Sequence, residues 1–413
     1  MKNSIENCVI ILNRDPVLKG AIRRNDLSIK TDIVRSLPWR DEPGSITDVD
    51  LFQIQRYIEN TYEVTSEKNV NKAINIVSSE QRYHPIKQYL EGLQWDGTPR
   101  IGSLLPKFLG ADESGYTREI MQLLMIAAIH RIYHPGCKFE IMVCLVGGQG
   151  AGKSTFFRFL AIQDEWFTDD LKRIEDESAF SKMQGHWIIE MPEMLATVNA
   201  KSIEDIKSFI SRQKETYRIP YQIFAEDRPR QCVFVGTSNN LDFLPLDRTD
   251  NRRFAPILVH MERVEKHILE DEEESRKYIQ QAWAEAMVIY QGATPKLKLS
   301  KETEEYLKQM QKQFMPEDTN VGVIQAWLDE CGEDYVCSEM IYRETLGNEL
   351  GNPKQWEIRE INSIMNDSIQ GWEKVSSHRF DKKYGVQRGW RRITDSNGFV
   401  DIPEQMEIPF DKK

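Results

Sequence analysis

Apolar positions along this chain fall into two kinds of run. The first is short and nearly unbroken: Phe139-Glu140-Ile141-Met142-Val143-Cys144-Leu145-Val146, Trp187-Ile188-Ile189-Glu190-Met191 and Cys232-Val233-Phe234-Val235. Strands buried on both faces of a parallel sheet show no alternation, so these runs predict the central strands of an α/β core. The second kind repeats at helical spacing. Ile120 to Ile132 predicts a long apolar helix whose Met and Leu stripe packs on that sheet and which stops at His134-Pro135-Gly136. Leu51 to Ile58 predicts a shorter helix with Asp50 placed to cap it, and Ile358, Ile361, Ile364 and Met365 mark another within 356–367.

These elements group into four regions. Residues 1–110 read as a mostly helical accessory domain and 111–295 as the α/β domain. A helical linker spans 296–319, and 320–413 holds three short helices followed by a basic hairpin, the plan of a winged helix. In the hairpin, Lys374, Arg379, Lys382, Lys383, Arg388, Arg391 and Arg392 face only Glu373 and Asp381, with Phe380, Tyr384 and Trp390 interleaved. That composition suits a grip on phosphates; a charged hairpin that contacts protein is the other reading.

Composition changes the picture in two places. A net charge of −11 looks wrong for a nucleic-acid binder. Charge matters by face and segment, however, and the basic residues cluster near the C-terminus while Glu270-Asp271-Glu272-Glu273-Glu274 reads as a solvated helix face. The six cysteines are scattered without a C-x-x-C pair, which argues against zinc and for a reducing, cytoplasmic setting. No apolar window is long enough for a membrane span, and no signal-peptide core follows the first residues.

The chemistry begins at Gly147-Gly148-Gln149-Gly150-Ala151-Gly152-Lys153-Ser154-Thr155, which fits the G-x-x-x-x-G-K-[ST] phosphate loop and lies between a predicted strand and a predicted helix. Backbone N–H groups of such a loop converge on an anion at a helix N-terminus. Lys153 is then expected to reach the β- and γ-phosphates of a nucleoside triphosphate, and Ser154 to ligate Mg²⁺. Downstream, Glu190 ends an apolar strand beside the phosphates and is the metal candidate; Glu193 is the candidate for polarising the attacking water. Asn239, at the tip of the Val233 strand, is the candidate for contacting the γ-phosphate. Arg252 and Arg253 precede a further apolar run and invite an arginine-finger role, with a structural salt bridge as the alternative. Lys214, Arg218, Arg228 and Arg230 read either as contacts to a phosphate backbone or as surface and intersubunit charges.

Taken in order, the loop, the Glu190-x-x-Glu193 strand, Gly236-Thr237-Ser238-Asn239 and Arg252-Arg253-Phe254 resemble the superfamily 3 helicases within the AAA+ ATPases. With His84-Pro85, Trp95-Asp96-Gly97-Thr98-Pro99-Arg100, Pro135-Gly136 and Pro220-Tyr221, residues 80 to 260 more closely resemble the virulence-associated protein E family of phages and mobile genetic islands. The resemblance implies an ATP-driven ring, a homo-hexamer, that translocates on single-stranded or forked DNA during replication, alongside proteins such as a primase. It assigns Lys153 and Ser154 to phosphate and Mg²⁺, Glu190 and Glu193 to the acids, Asn239 to the sensor, and Arg253 ahead of Arg252 to the finger, and it places DNA-facing residues in the basic stretch from Lys207 through Arg218. Two departures stand out. Met191-Pro192 separates the two glutamates, leaving their division of labour open. The region before residue 80 shows no clustered metal-binding carboxylates, so no primase activity is inferred. A DNA-binding ATPase switch that does not unwind is the second functional reading.

Overall fold

Five parallel strands carry the phosphate loop, in the spatial order Phe254–Leu258, Met142–Val146, Val233–Ser238, Ile188–Pro192, Phe167–Thr168. The computed structural model describes residues 2–171, 177–192, 200–218, 224–244, 251–264, 266–316, 318–345, 353–381 and 383–393. Two units divide the chain, Met1–Met315 and Pro316–Lys413, and the sheet belongs to the first. Every residue of Met142–Val146 is buried, which is why its sequence shows no alternation.

Helix Gly115–Tyr133 covers one face of the sheet together with Glu272–Gly292. Ser114 and Thr117 form a capping box that starts the first of these helices. Trp187, at the foot of the Ile188 strand, stacks on Trp283 at 4.3 Å and meets Trp166 edge-on. Each buried indole N–H of the stacked pair finds a carbonyl, Trp187 on Ala128 and Trp283 on Leu160. Such a pair contributes about 0.5–1.5 kcal/mol beyond its area burial, so it pins the acidic strand to both helices. The opposite face is closed by Ile206, Phe209 and Ile210 of helix Ala200–Ser211, with Phe234, Phe243 and Phe314.

Two expectations from the sequence need correction here. Helices dominate the N-terminal region, but it also holds a small sheet, and its separate core ends well before residue 110. Helices Ile5–Arg14, Asp48–Tyr62 and Glu67–Glu80 pack with a four-stranded sheet, in the order Gly44–Ser45, Thr31–Ile33, Ile22–Asn25, Arg82–Tyr83. Strands of two to four residues are too short for alternation to show. From Ile86 onward the apolar residues join the core of the phosphate-loop domain. The cap of Asp48–Tyr62 is also Thr47, with Asp50 completing a capping box from the third helical position. The second correction concerns the expected linker at 296–319. Helix Lys301–Gln313 packs into the first unit: Ser300 and Thr303 hydrogen-bond Glu119, and buried Gln311 donates to Asn251 O and Phe254 O at 2.6 and 2.7 Å.

In the second unit, helices Thr319–Glu330, Ser338–Thr345 and Gln355–Asp367 pack against a three-stranded antiparallel sheet, Tyr335–Val336, Val386–Arg392, Trp372–Arg379. Ile324, Leu328, Ile341, Ile361, Ile364 and Trp390 form its core, and the Trp390 indole donates to Asn366.

Candidate functional site

Parallel strands bring their C-terminal ends to one edge of the sheet, and the candidate residues collect there. Gly147 follows the Met142–Val146 strand so closely packed that a Cβ would stand 2.8 Å from Val259 O. Gly152 holds φ at +72°, a left-handed conformation that glycine adopts without strain, and it caps helix Lys153–Leu160. The loop therefore turns directly into a helix N-terminus, where unpaired N–H groups and the helix dipole favour an anion.

Lys153 is buried, 6% exposed, and curls back into this loop. Its ammonium donates to Gly147 O at 2.7 Å, Gly148 O at 2.8 Å and Asn239 Oδ1 at 3.0 Å. A lysine has three donors, and these three acceptors satisfy them in the space where phosphate oxygens would substitute. Asn239 thus meets Lys153 directly, because its strand lies between the loop strand and the acidic strand.

Glu190 is fully buried. Its Oε1 accepts from Ser154 Oγ at 2.7 Å and from Thr237 Oγ1 at 2.5 Å, while Oε2 is buried without a hydrogen-bond partner among the described residues. Burial raises its pKa above the usual carboxylate value; the hydroxyls of Thr237 and Ser154 and the charge of Lys153 only partly offset this, and nearby Asp169 adds to the rise. A carboxylate with one orphaned oxygen beside a serine hydroxyl is a hard-oxygen donor set that fits Mg²⁺, with Ser154 and Glu190 as the protein ligands. Thr237 is the one member of this cluster that sequence reasoning missed. Its signal was its place on the strand, where it registers with Pro192, two residues beyond Glu190. Glu193 lies outside the described residues.

Arg252 and Arg253 fall at the other edge of the sheet. They precede Phe254–Leu258, whose register pairs Phe254 with Met142, so they sit beside the N-terminal end of the loop strand. Both approach Glu140, at 3.8 Å each, and Arg253 Nε donates to Ser211 Oγ at 3.0 Å. The five-residue loop strand alone separates them from their own chain's phosphate loop by about 16 Å.

The polar stretch after Ser211 forms the antiparallel pair Lys214–Tyr217 and Glu226–Pro229. Alternation decides which of its charges face water. Lys214 and Arg218 are exposed, as is Phe224. Glu215 and Arg228 sit opposite each other on the inward face. The nucleic-acid role expected of Lys207, Arg228 and Arg230 is corrected accordingly: all three are buried. Lys207 pairs with Glu204, and Arg228 with Glu226 and the Tyr217 ring. Arg230 binds Glu215 and the carbonyls of Phe209 and Ile210.

In the C-terminal hairpin Lys383, Arg388 and Arg391 are exposed, Arg391 paired with Glu373. Arg392 is instead structural: it donates to Leu328 O at 2.6 Å and lies over the Trp372 ring. Lys382 lies outside the described residues. His84, given no catalytic part, caps helix Pro85–Glu91 and hydrogen-bonds Gln231 at 2.6 Å.

The model of the virulence-associated protein E-like domain matches residues 90–316. The chain belongs to this family. The matched segment contains the loop, Glu190, Thr237, Asn239 and both arginines, so the family domain and the clustered site coincide. Nothing among curated proteins matches the chain. Among solved structures it is similar to the NrS-1 C-terminal region in its apo A form, at 13% identity and a TM-score of 0.49, covering 95% of this chain and 100% of that one. A second structure of that region covers 90% of this chain and 96% of its own at the same identity and TM-score. Among the described residues, no helix is long and apolar enough to cross a membrane.

Proposed function

We propose that this virulence-associated protein E-like chain is an ATP-dependent DNA helicase of the AAA+ superfamily 3 type, working as a ring, a homo-hexamer, in replication of a phage or mobile genetic island. One observation carries the reading. Lys153, Ser154, Glu190, Thr237 and Asn239 come from three neighbouring strand ends around a glycine loop, Lys153 bonded to Asn239 at 3.0 Å and Glu190 to Ser154 and Thr237 at 2.7 and 2.5 Å. A phosphate-binding loop, a buried acid and a polar strand tip in mutual contact are the parts that nucleoside triphosphate hydrolysis needs. Bound Mg²⁺ would neutralise developing charge on the β- and γ-phosphates. Gly147 to Thr155 supply backbone donors, Lys153 exchanges its carbonyl partners for phosphate oxygens, and Ser154 and Glu190 hold the ion. Asn239 is set to exchange Lys153 for the γ-phosphate or the attacking water. Glu193 keeps its role as the residue that polarises that water.

The ring reading draws support from the two arginines. Standing at the wrong edge of the sheet for their own nucleotide, Arg252 and Arg253 suit a finger offered to a neighbouring subunit. DNA contact is assigned to Lys214 and Arg218 on the exposed face of the hairpin in the first unit. It is also assigned to Lys382, Lys383, Arg388 and Arg391 in a winged-helix-like second unit.

The test is ATP hydrolysis with and without single-stranded DNA, comparing wild type with Lys153→Ala. The proposal expects DNA-stimulated, Mg²⁺-dependent turnover that falls by on the order of 100-fold or more in the variant. Turnover that survives loss of Lys153 would overturn it.

A further inference from the structure

The Glu140 carboxylate has no part in binding the nucleotide of its own subunit, yet it sits at a junction of three elements. It stands at 140, immediately before the strand Met142–Val146 that ends in the phosphate loop. Around it are Arg252 Nη2 and Arg253 Nε at 3.8 Å, Lys138 Nζ at 3.6 Å and Ser211 Oγ at 3.2 Å. Ser211 is the last residue of helix Ala200–Ser211, three positions before the Lys214–Tyr217 strand of the exposed hairpin.

Ser211 is a joint, because one hydroxyl serves three partners. It donates toward Glu140 and toward Lys207 O at 2.8 Å, and accepts from Arg253 Nε at 3.0 Å. A single hydroxyl hydrogen cannot serve both acceptors at full strength, so displacement of Arg253 or Glu140 rearranges the end of this helix. The hairpin root beyond it is rigidly tied. Buried Arg230 bonds Glu215 and the carbonyls of Phe209 and Ile210, and Gly136 N donates to Arg230 O at 2.9 Å. A Cβ at Gly136 would stand 3.3 Å from Gln213 O and 3.2 Å from the Pro229 Cβ, so the root packs against the turn that leads into the loop strand. Movement at Ser211 is therefore passed to the hairpin as a body and is not absorbed locally.

We propose that Glu140 is a positioning residue that parks Arg252 and Arg253 beside Ser211, so that the arginines' engagement of a neighbouring subunit's nucleotide and the movement of the hairpin become one event. This rests on the finger role proposed above and adds to it a residue and a route. Glu140 competes with a γ-phosphate for the same guanidinium groups. While parked, the arginines brace Ser211 and hold the hairpin root. When they leave for the neighbour, Glu140 retains Lys138 and Ser211, and the helix end is released. In the other direction, DNA that shifts the hairpin weakens the Arg253–Ser211 bond and frees the finger. The route gives DNA a physical means to stimulate hydrolysis.

The experiment measures ATP turnover of the full chain at saturating ATP, with and without single-stranded DNA, for wild type, Glu140→Gln, Glu140→Asp and Ser211→Ala. Glu140→Gln keeps the shape but drops the charge. It should raise DNA-free kcat about two- to fivefold, the weight of a partly exposed ion pair, and reduce the stimulation by DNA by the same factor. KM for ATP should stay unchanged, since the loop is untouched. Glu140→Asp should restore wild-type behaviour in part, and Ser211→Ala should shift in the same direction as Glu140→Gln by less. A purely structural role would lower the melting temperature and depress both rates together, which would overturn the proposal, as would wild-type rates and stimulation in Glu140→Gln. A mixing control separates this from the finger itself: Arg253→Ala subunits mixed with Lys153→Ala subunits should regain turnover if the arginine acts across subunits. Regained turnover with intact DNA stimulation in Glu140→Gln sinks the Glu140 route alone. No regained turnover sinks the finger and the route with it.

Discussion

Glu190 is where the energetics of the site concentrate. A carboxylate taken wholly out of water, with one oxygen lacking a partner among the described residues, is unfavourable in its charged form. Its pKa in the folded chain lies above its unfolded value, so the stability it contributes is full below the unfolded pKa and is lost as pH rises through the folded one. Glu190→Gln removes that dependence. Comparing melting temperatures of the unliganded proteins across pH should show the difference moving in the variant's favour as pH rises, while ATP turnover drops on the order of 100-fold for want of a metal ligand. A difference independent of pH would show that Glu190 is not titrating in this burial. At this scale the sequence was informative where residue type and chemistry are tied. Lysine in a glycine loop and an acid ending an apolar strand were both legible. Thr237 was not, because a threonine on a strand is common and only the neighbouring strand's register shows that its hydroxyl meets Glu190.

Among the elements, the hairpin Lys214–Tyr217 and Glu226–Pro229 shows what basic residues in a row conceal. Counted along the chain, Lys214, Arg218, Arg228 and Arg230 form one basic stretch. Strand alternation sorts them into two outward charges and two inward ones; the inward pair is held by glutamates, and outward Lys214 shares its exposed face with Asp227. The two classes should separate experimentally. Lys214→Glu with Arg218→Glu should weaken single-stranded DNA binding, more so at low salt, with only a small fall in melting temperature, since the Lys214–Asp227 pair it breaks is exposed. Arg230→Ala leaves buried Glu215 with Arg212 alone, 3.7 Å away, at a cost of up to about 3–5 kcal/mol, and should lower the melting temperature more strongly. Circular dichroism melts beside fluorescence anisotropy on a labelled oligonucleotide read both effects. Equal loss of DNA binding from Arg230→Ala without loss of stability would contradict the assignment. The long elements were readable for the opposite reason. Gly115–Tyr133 and the buried strands carry their apolar pattern over many residues, whereas the four short N-terminal strands carry almost none.

At the scale of the whole molecule, the sheet has two working edges. The C-terminal edge gathers the candidate nucleotide residues, and the opposite edge presents Arg252 and Arg253 beside the hairpin root. On the proposed finger role, a molecule built this way needs a neighbour, because its arginines stand far from their own chain's phosphate loop. The proposed ring would supply that neighbour at every interface. That plan is legible in sequence order only through resemblance; the separation of the edges emerges when strand direction and register are known. The net charge of −11 is compatible with it, since what matters is the charge of the contacting face and both hairpins present exposed cations. The measurement that tests this account most directly is strand separation of a forked DNA duplex with ATP and Mg²⁺, wild type against Lys153→Ala. The account predicts separation by the wild type and none by the variant. ATP hydrolysis that proceeds without strand separation, at a rate indifferent to DNA, would contradict it.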